Sequence, residues 1–304
     1  MATDHEVLQV SDLQVHYTTP RGVIRAVDGI SFDLRQGERF GLAGESGSGK
    51  STAAQAVMGL IRSPGHIVGG TVTLDGQPLL GRSDEHLRRL RLAEIALVPQ
   101  GAMNSLNPVR RVRSHFADSI RAHRARVGDR EIRERMQELL RMVSLKPSVG
   151  DLFPHELSGG MKQRVCIALA ITLQPKVIIA DEPTSALDVV MQRQVMQTLR
   201  TIQERLGASV VLIGHDMGLL AQFVDRLGIM FGGRIVEVGP VREIFHHPGH
   251  PYTRMVIESL PTLKERDPSR AARASTGVHL RPSSTEVLQE TAPGHWVALE
   301  EKAS

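Results

Sequence analysis

Three short stretches of this sequence hold residue types at spacings that could do chemistry. In Gly44-Glu45-Ser46-Gly47-Ser48-Gly49-Lys50-Ser51-Thr52, three glycines precede a lysine and two hydroxyls. Glycines let a backbone curl until successive N–H groups face an anion, so this stretch reads as a loop for nucleotide phosphates. Lys50 is expected to reach the β- and γ-phosphates and Ser51 to bind Mg²⁺, with Gly44, Ser46, Gly47, Gly49 and Thr52 completing the cradle. The second stretch, Val177-Ile178-Ile179-Ala180-Asp181-Glu182, is an apolar strand ending in two carboxylates. A strand points adjacent side chains to opposite sides, so two roles follow. Asp181 is expected to hold Mg²⁺ through water, while Glu182 polarises a water attacking the γ-phosphate. The third, Leu157-Ser158-Gly159-Gly160-Met161-Lys162-Gln163-Arg164, stands 23 residues before Asp181. Its hydroxyl and two glycines open a helix, which makes Ser158, Gly159 and Gly160 a second anion-binding helix end.

The elements around these stretches are those the chemistry needs. Alternation predicts strands over 7–17 and 26–34, and the strand 39–43 runs into the glycine loop. From Ser51 the apolar spacing turns helical, so the loop lies between a strand and a helix. Residues 69–99 read as a hairpin, a polar helix and the strand 95–99. Residues 101–173 form an inserted helical subdomain that ends in a helix over 158–173. Strands at 177–180 and 209–213 flank a helix over 190–206, and a hairpin over 228–238 turns at Gly232-Gly233. This pattern is α/β: a mainly parallel core sheet, an antiparallel β subdomain and a helical insert. Residues 1–261 are expected to form the catalytic domain, with a linker and small tail at 262–304.

Composition narrows the function. The 304 residues are 41% hydrophobic, enough for a large core, and the formal charge of +4 demands no nucleic-acid partner. Aromatic residues are 3%, too few for base-stacking platforms. The Arg-rich segment 110–141 also carries Asp118, Asp129, Glu131, Glu134 and Glu138, which reads as a solvated helical face. The single cysteine, Cys166, excludes internal disulfides and reads as a small core residue in a reducing compartment. Neither a secretory signal nor an apolar run of the ~18 residues that cross a bilayer is present. A membrane role therefore has to be borrowed from a partner.

With its three motifs in this order, the chain resembles the ATP-binding cassette family of transport ATPases over residues 7–260. The resemblance implies a P-loop NTPase cassette with Walker A at 44–52, Walker B at 177–182 and the signature at 157–163. It also implies that Gln100 senses Mg²⁺ and joins the core to the helical insert, and that Ser185-Ala186-Leu187-Asp188 is the D-loop, with Asp188 at the nucleotide site. His215 becomes the switch histidine, beside Glu182 and Gln100 as catalytic residues. Tyr17 is the candidate to stack on adenine; an ordinary strand aromatic remains the other reading. Implied cofactors are ATP and Mg²⁺, the latter at Ser51, Gln100 and Asp181. Implied partners are two membrane permease subunits, a second cassette in a head-to-tail dimer, and an extracytoplasmic solute-binding protein. The complex would sit on the cytoplasmic face of the inner membrane.

Gln100-Gly101-Ala102-Met103-Asn104-Ser105-Leu106-Asn107-Pro108 and His250-Pro251-Tyr252-Thr253 are similar to segments of oligopeptide and dipeptide importer ATPases, which share these features with oligosaccharide and nickel importers. The resemblance makes the loop 101–108, with Asn104 and Leu106, the route of coupling to the permease. A soluble cassette ATPase acting on nucleic acid or ribosomes is the alternative from a different class. His246, His247 and His250 offer no metal-ligand spacing. Relatives of the importer type often carry cysteines in the tail. Here the matching frame reads Gly277-Val278, Arg281 to Ser284 and Gly294-His295-Trp296-Val297-Ala298-Leu299 without them, so no iron–sulfur cluster is expected. Trp296 and Leu299 are expected to hold the tail by packing.

Overall fold

The computed structural model describes residues 5–124, 126–260 and 286–300. Strands β1 (Glu6–Thr19) and β2 (Gly22–Arg35) pair antiparallel about a turn at Pro20-Arg21, and both outrun the expected 7–17 and 26–34. Midway, β1 changes parity: Leu8 and Val10 are buried, then Leu13 and Val15. The register shifts between Val10 and Leu13, with Asp12 at φ 47°. Such a bulge reverses which side of the strand faces inward, so both halves keep their apolar residues in the core. Next come β3 (Arg39–Ala43), the glycine loop and α1 (Lys50–Val57). Strand β4 (Gly65–Leu74) pairs along the other side of β1, and its return strand β5 (Gln77–Pro78) is two residues long. The hairpin expected within 69–99 is thus mostly a third strand of the antiparallel sheet, ordered β2-β1-β4-β5. Helix α2 (Asp84–Leu90) and strand β6 (Ile95–Val98) lead into the insert.

The insert contains α3 (Val112–Arg121), α4 (Asp129–Met142) and α5 (Gly159–Ala170). Helix α4 buries Ile132, Met136, Leu139 and Leu140, a single stripe at helical spacing. Its other side is exposed and carries the pairs Arg130–Glu134 at 2.8 Å and Arg135–Glu138 at 2.7 Å. These arginines are partnered by neighbouring acids, and each such exposed pair contributes at most ~1 kcal/mol. Phe116, Leu139, Leu140 and Ile167 pack the insert together, and Cys166 is buried among them, its thiol donating to the Ala102 carbonyl at 3.1 Å.

The chain then alternates through β7 (Val177–Asp181), α6 (Val189–Leu206), β8 (Ser209–Gly214), α7 (Met217–Ala221), β9 (Arg226–Phe231), β10 (Arg234–Pro240), α8 (Val241–His246) and α9 (Pro251–Glu258). Strands β9, β3, β8, β7 and β6 lie parallel in that order. The sheet is covered on both faces, and its alternation shows how. Ile178, Ala180, Val210 and Leu212 join the core shared with the helical insert. Val177, Ile179, Val211 and Ile213 join the core shared with α1 and the antiparallel sheet. Arg226 ties the two sheets at one end, donating to Asp33 at 3.0 Å and to Glu38 at 3.1 Å.

Beyond β10 the sheet continues across the expected tail boundary. Strands β11 (Glu286–Ala292) and β12 (His295–Glu300) form a hairpin whose second strand pairs with β10 at Glu237↔Val297 and Val238↔Trp296. The packing expected of Trp296 and Leu299 is corrected by this register. Both are exposed, at 40% and 39%, while His295, Val297 and Ala298 are buried. Trp296 shares a side of β12 with Ala298, and Leu299 shares the other with Val297, so each side of the strand has a covered residue and a partly open one. The frame residues Gly277-Val278 and 281–284 lie outside the described residues.

Candidate nucleotide site

The register of the core sheet assembles the site. Ala43 pairs with Gly214, Asp181 with Ile213 and Val98 with Ala180, so β3, β8, β7 and β6 end nearly level. Loops leaving that edge bring residues from four parts of the chain into one place, as in other open α/β sheets.

From Ala43 the chain curls through the glycine loop and enters α1 at Lys50. Gly44 has φ 155°, and a Cβ there would sit 2.1 Å from the Met230 carbonyl oxygen; Gly49 has φ 102°, and a Cβ would sit 2.1 Å from that of Ala26. The loop is wedged between β9 and β2, where no side chain fits at either position. Lys50 is buried, and its Nζ donates to the carbonyls of Gly44 at 2.8 Å and Glu45 at 2.6 Å and to Ser48 Oγ at 3.2 Å. Burial lowers its pKa below the usual lysine range, opposed by the charges of Glu182, Asp181 and Glu45. At the start of α1 the first N–H groups have no acceptor within the helix. A curled loop, a helix start and a buried ammonium are what a polyphosphate requires.

Asp181 is buried at the end of β7 and accepts from Ser51 Oγ at 3.0 Å. Desolvation raises its carboxyl pKa against the Ser51 hydrogen bond; Glu182 adds to the rise and Lys50 opposes it. A hydroxyl and a carboxylate are hard oxygen donors, the set that suits Mg²⁺. At Glu182 the backbone turns to φ 45° and its N–H donates to the Ile213 carbonyl at 2.9 Å. The two carboxylates therefore diverge. Glu182 Oε2 accepts from Gln100 Nε2 at 2.9 Å, and Oε1 lies 3.2 Å from His215 Nδ1. Glutamine and histidine, from the ends of β6 and β8, hold this carboxylate from two sides.

Gln100, Glu182 and His215 face a cleft of about 360 Å³ that is also lined by Gly44, Glu45, Ser46, Met217, Tyr252 and Val256; Lys50, Ser51 and Asp181 lie beneath the glycine loop and do not line it. Tyr17 does not line it. Its ring lies against Gly65 and Ile61, and it pairs with Ile24, two residues from the Ala26 carbonyl that touches Gly49. The signature residues stand elsewhere. Ser158 caps α5, accepting from the Met161 N–H at 3.3 Å, and both Ser158 and Gly159 are exposed. Gly160 is buried, and a Cβ there would lie 2.6 Å from Met191 Sδ. Asp188 is exposed and caps α6 through the Met191 N–H at 2.9 Å. None of Ser158, Gly159, Gly160 and Asp188 lines the cleft.

Sequence reasoning missed Met217, Tyr252 and Val256 as lining residues. Tyr252 served only as part of a resemblance, because nothing local marks a tyrosine that meets the glycine loop 207 positions away. His250 acts as the cap of α9, its Nδ1 accepting from the Tyr252 N–H at 3.1 Å.

Fold and site together define a P-loop ATPase cassette: a glycine loop entering a helix beside level strand ends that carry a serine–aspartate pair and a braced glutamate. A family profile described as "ABC transporter" matches residues 27–185, and another, "Oligopeptide/dipeptide transporter, C-terminal region", matches residues 236–282. The chain is 38% identical to the dipeptide transport ATP-binding protein DppD of Caldanaerobacter subterraneus subsp. tengcongensis, over 98% of its own length and 95% of that protein's. It is 40% identical to the oligopeptide transport ATP-binding protein OppD of Bacillus subtilis, over 85% of this chain and 73% of that one. The dimeric structure of MJ0796, a bacterial ABC transporter cassette, superposes with a TM-score of 0.69 at 29% identity, covering 77% of this chain and 99% of that one. The chain belongs to the ABC transporter family and is an ATPase of that family.

Proposed function

We propose that this chain is the ATP-hydrolysing subunit of an importer and powers uptake of di- or oligopeptides through two separate permease subunits. The observation that carries the hydrolytic part is the meeting of Lys50, the Ser51–Asp181 pair and the braced Glu182 at one sheet edge. The cargo rests on the dipeptide and oligopeptide transport proteins the chain is similar to, and on the match over 236–282.

In this reading the loop amides and Lys50 bind the β- and γ-phosphates, with Ser46, Gly47, Gly49 and Thr52 in the cradle and Tyr17 against the adenine. Ser51 and Asp181, with Gln100 nearby, would hold Mg²⁺, which supplies charge neutralisation at the phosphates. Glu182 orients a water and takes its proton, and His215 and Gln100 fix the carboxylate that does so. Ser158, Gly159, Gly160 and Asp188 act on the nucleotide of a second cassette packed head to tail; their position away from the cleft of their own chain supports this. An extracytoplasmic binding protein delivers the solute. The cassette sits on the cytoplasmic face of the inner membrane, and among the described residues no helix is long and apolar enough to cross a bilayer.

The test is reconstitution of the complete transporter in vesicles, with ATP hydrolysis and uptake followed together. Stimulation of both by di- or oligopeptides supports the proposal. Stimulation by oligosaccharide or nickel alone would reassign the cargo, and hydrolysis with no solute response would remove the importer role.

A further inference from the structure

Tyr252 joins the C-terminal part of the cassette to the glycine loop. Its ring is fully buried and stacks on Phe231 with centroids 4.2 Å apart and planes 23° from parallel. At the end of that fixed ring, Oη accepts from the Glu45 N–H at 3.2 Å. The base of the residue is held as firmly. The Tyr252 N–H donates to His250 Nδ1, and the His250 N–H donates to Glu237 Oε2 at 2.9 Å. Glu237 has no solvent exposure and also accepts from the Gly249 N–H at 2.8 Å and from His295 Nε2, in the tail hairpin, at 2.7 Å. Burial pushes the phenol up to about 12, so it stays neutral throughout the working pH range.

Glu45 is the residue on which this matters. Its carbonyl accepts from the Lys50 ammonium at 2.6 Å and from the Ser48 N–H, inside the loop, at 3.2 Å, while Tyr252 holds its N–H. When Lys50 turns to a phosphate oxygen, the carbonyl keeps only the Ser48 N–H, which belongs to the loop itself and moves with it. A loop held there by Lys50 alone would then be free to swing, and ordering it again would subtract from nucleotide affinity. We infer that Tyr252 is a positioning residue for nucleotide binding: its hydroxyl keeps the first peptide of the glycine loop in place while Lys50 changes partner. A ring serving only to fill the core would need no hydroxyl, and phenylalanine would serve as well.

This inference rests on the reading of the cleft as the ATP site, and the experiment separates the two. Tyr252→Phe keeps the stacked ring and removes one acceptor. In the full chain, Mg·ATP affinity measured by calorimetry is expected to fall about three- to tenfold, the share of one hydrogen bond. In the assembled ATPase KM should rise by a similar factor, with kcat held within about twofold, the pattern of a lost binding interaction. Amide exchange at Glu45 should accelerate while the amides of β7 exchange as before, and the emission of Trp296, the chain's one tryptophan, should report an unchanged tail. Unchanged affinity, or a loss of protection at Glu45 no larger than that in β7, overturns the inference and leaves Tyr252 a packing residue. Lys50→Ala is the parallel control. If it binds Mg·ATP as well as the parent does, the nucleotide reading of the cleft itself fails; if it loses affinity while Tyr252→Phe does not, only the role of Tyr252 falls.

Discussion

Glu182 is held at φ 45°, a region that side-chain-bearing residues seldom occupy, and the fold retains it because the Ile213 carbonyl, Gln100 and His215 all bind it there. The turn separates two carboxylates that adjoin in the chain, sending Asp181 to Ser51 and Glu182 to the cleft. Glu182→Gln preserves shape and an acceptor for Gln100 but removes the proton acceptor. Turnover of the purified complex should fall by about 10²- to 10⁴-fold, with ATP binding retained; undiminished hydrolysis would remove Glu182 from the role of base. Cys166 offers a prediction of a different kind. Burial pushes its thiol up to about 11 from an ordinary 9.0. Below pH 9 the thiol is neutral in both the folded and unfolded chain and costs nothing. Between the two values only the unfolded chain ionises it, so stability declines as pH rises through that window. The parent should lose up to about 3 kcal/mol more than Cys166→Ala between pH 9 and 11, measured by denaturant melts at each pH. Parallel pH profiles for the two proteins would contradict the assignment.

At the scale of elements, the loop after β6 divides into two kinds of residue. Leu106 is 5% exposed and packs in the core of the insert, whereas Asn104 is exposed and Val109 is 79% exposed. Leu106 is thus a packing element of the insert, and Asn104 and Val109 are exposed positions of the segment. Leu106→Ala should destabilise the cassette by about 2–5 kcal/mol, seen as a lower melting temperature. Val109→Asp should leave the melting temperature and basal ATPase unchanged and lower solute uptake per ATP in reconstituted vesicles. Equal loss of hydrolysis and uptake in Val109→Asp would make the loop structural and not transmissive. Strand β1 carries a related lesson. Its apolar pattern is legible as one strand over 7–17, yet the bulge at Asp12 that reverses its inward side, and its full length of 14 residues, appear only in the pairing with β2.

At the scale of the molecule, the nucleotide cleft and the signature helix lie apart, and that separation predicts how activity depends on pairing. A Lys50→Ala chain and a Ser158→Arg chain, each inactive alone, should regain up to about half of a composite site's output when mixed, if the chain self-pairs, because one of the two shared sites remains whole. Mixing without recovery, together with a fully active isolated monomer, would refute the shared site. The residues proposed for phosphate and metal were legible in the linear sequence because their chemistry is local: a glycine loop, a serine beside a lysine, and carboxylates closing an apolar strand each declare themselves within nine residues or fewer. The alternating elements were legible for the same reason, since periodicities of 2 and 3.6 are written in neighbouring residues. Tertiary structure alone decided the rest. Sheet register, a contact between distant strands, levelled β3, β8, β7 and β6 and so brought Gln100 and His215 onto Glu182. Pairing of β12 with β10 placed Val297 beside Glu237 and buried it, and joined the tail hairpin to the core sheet. Packing of α9 set the Tyr252 hydroxyl on the glycine loop, a contact spanning 207 positions that no local pattern encodes, because its free energy arises only when both ends are already folded.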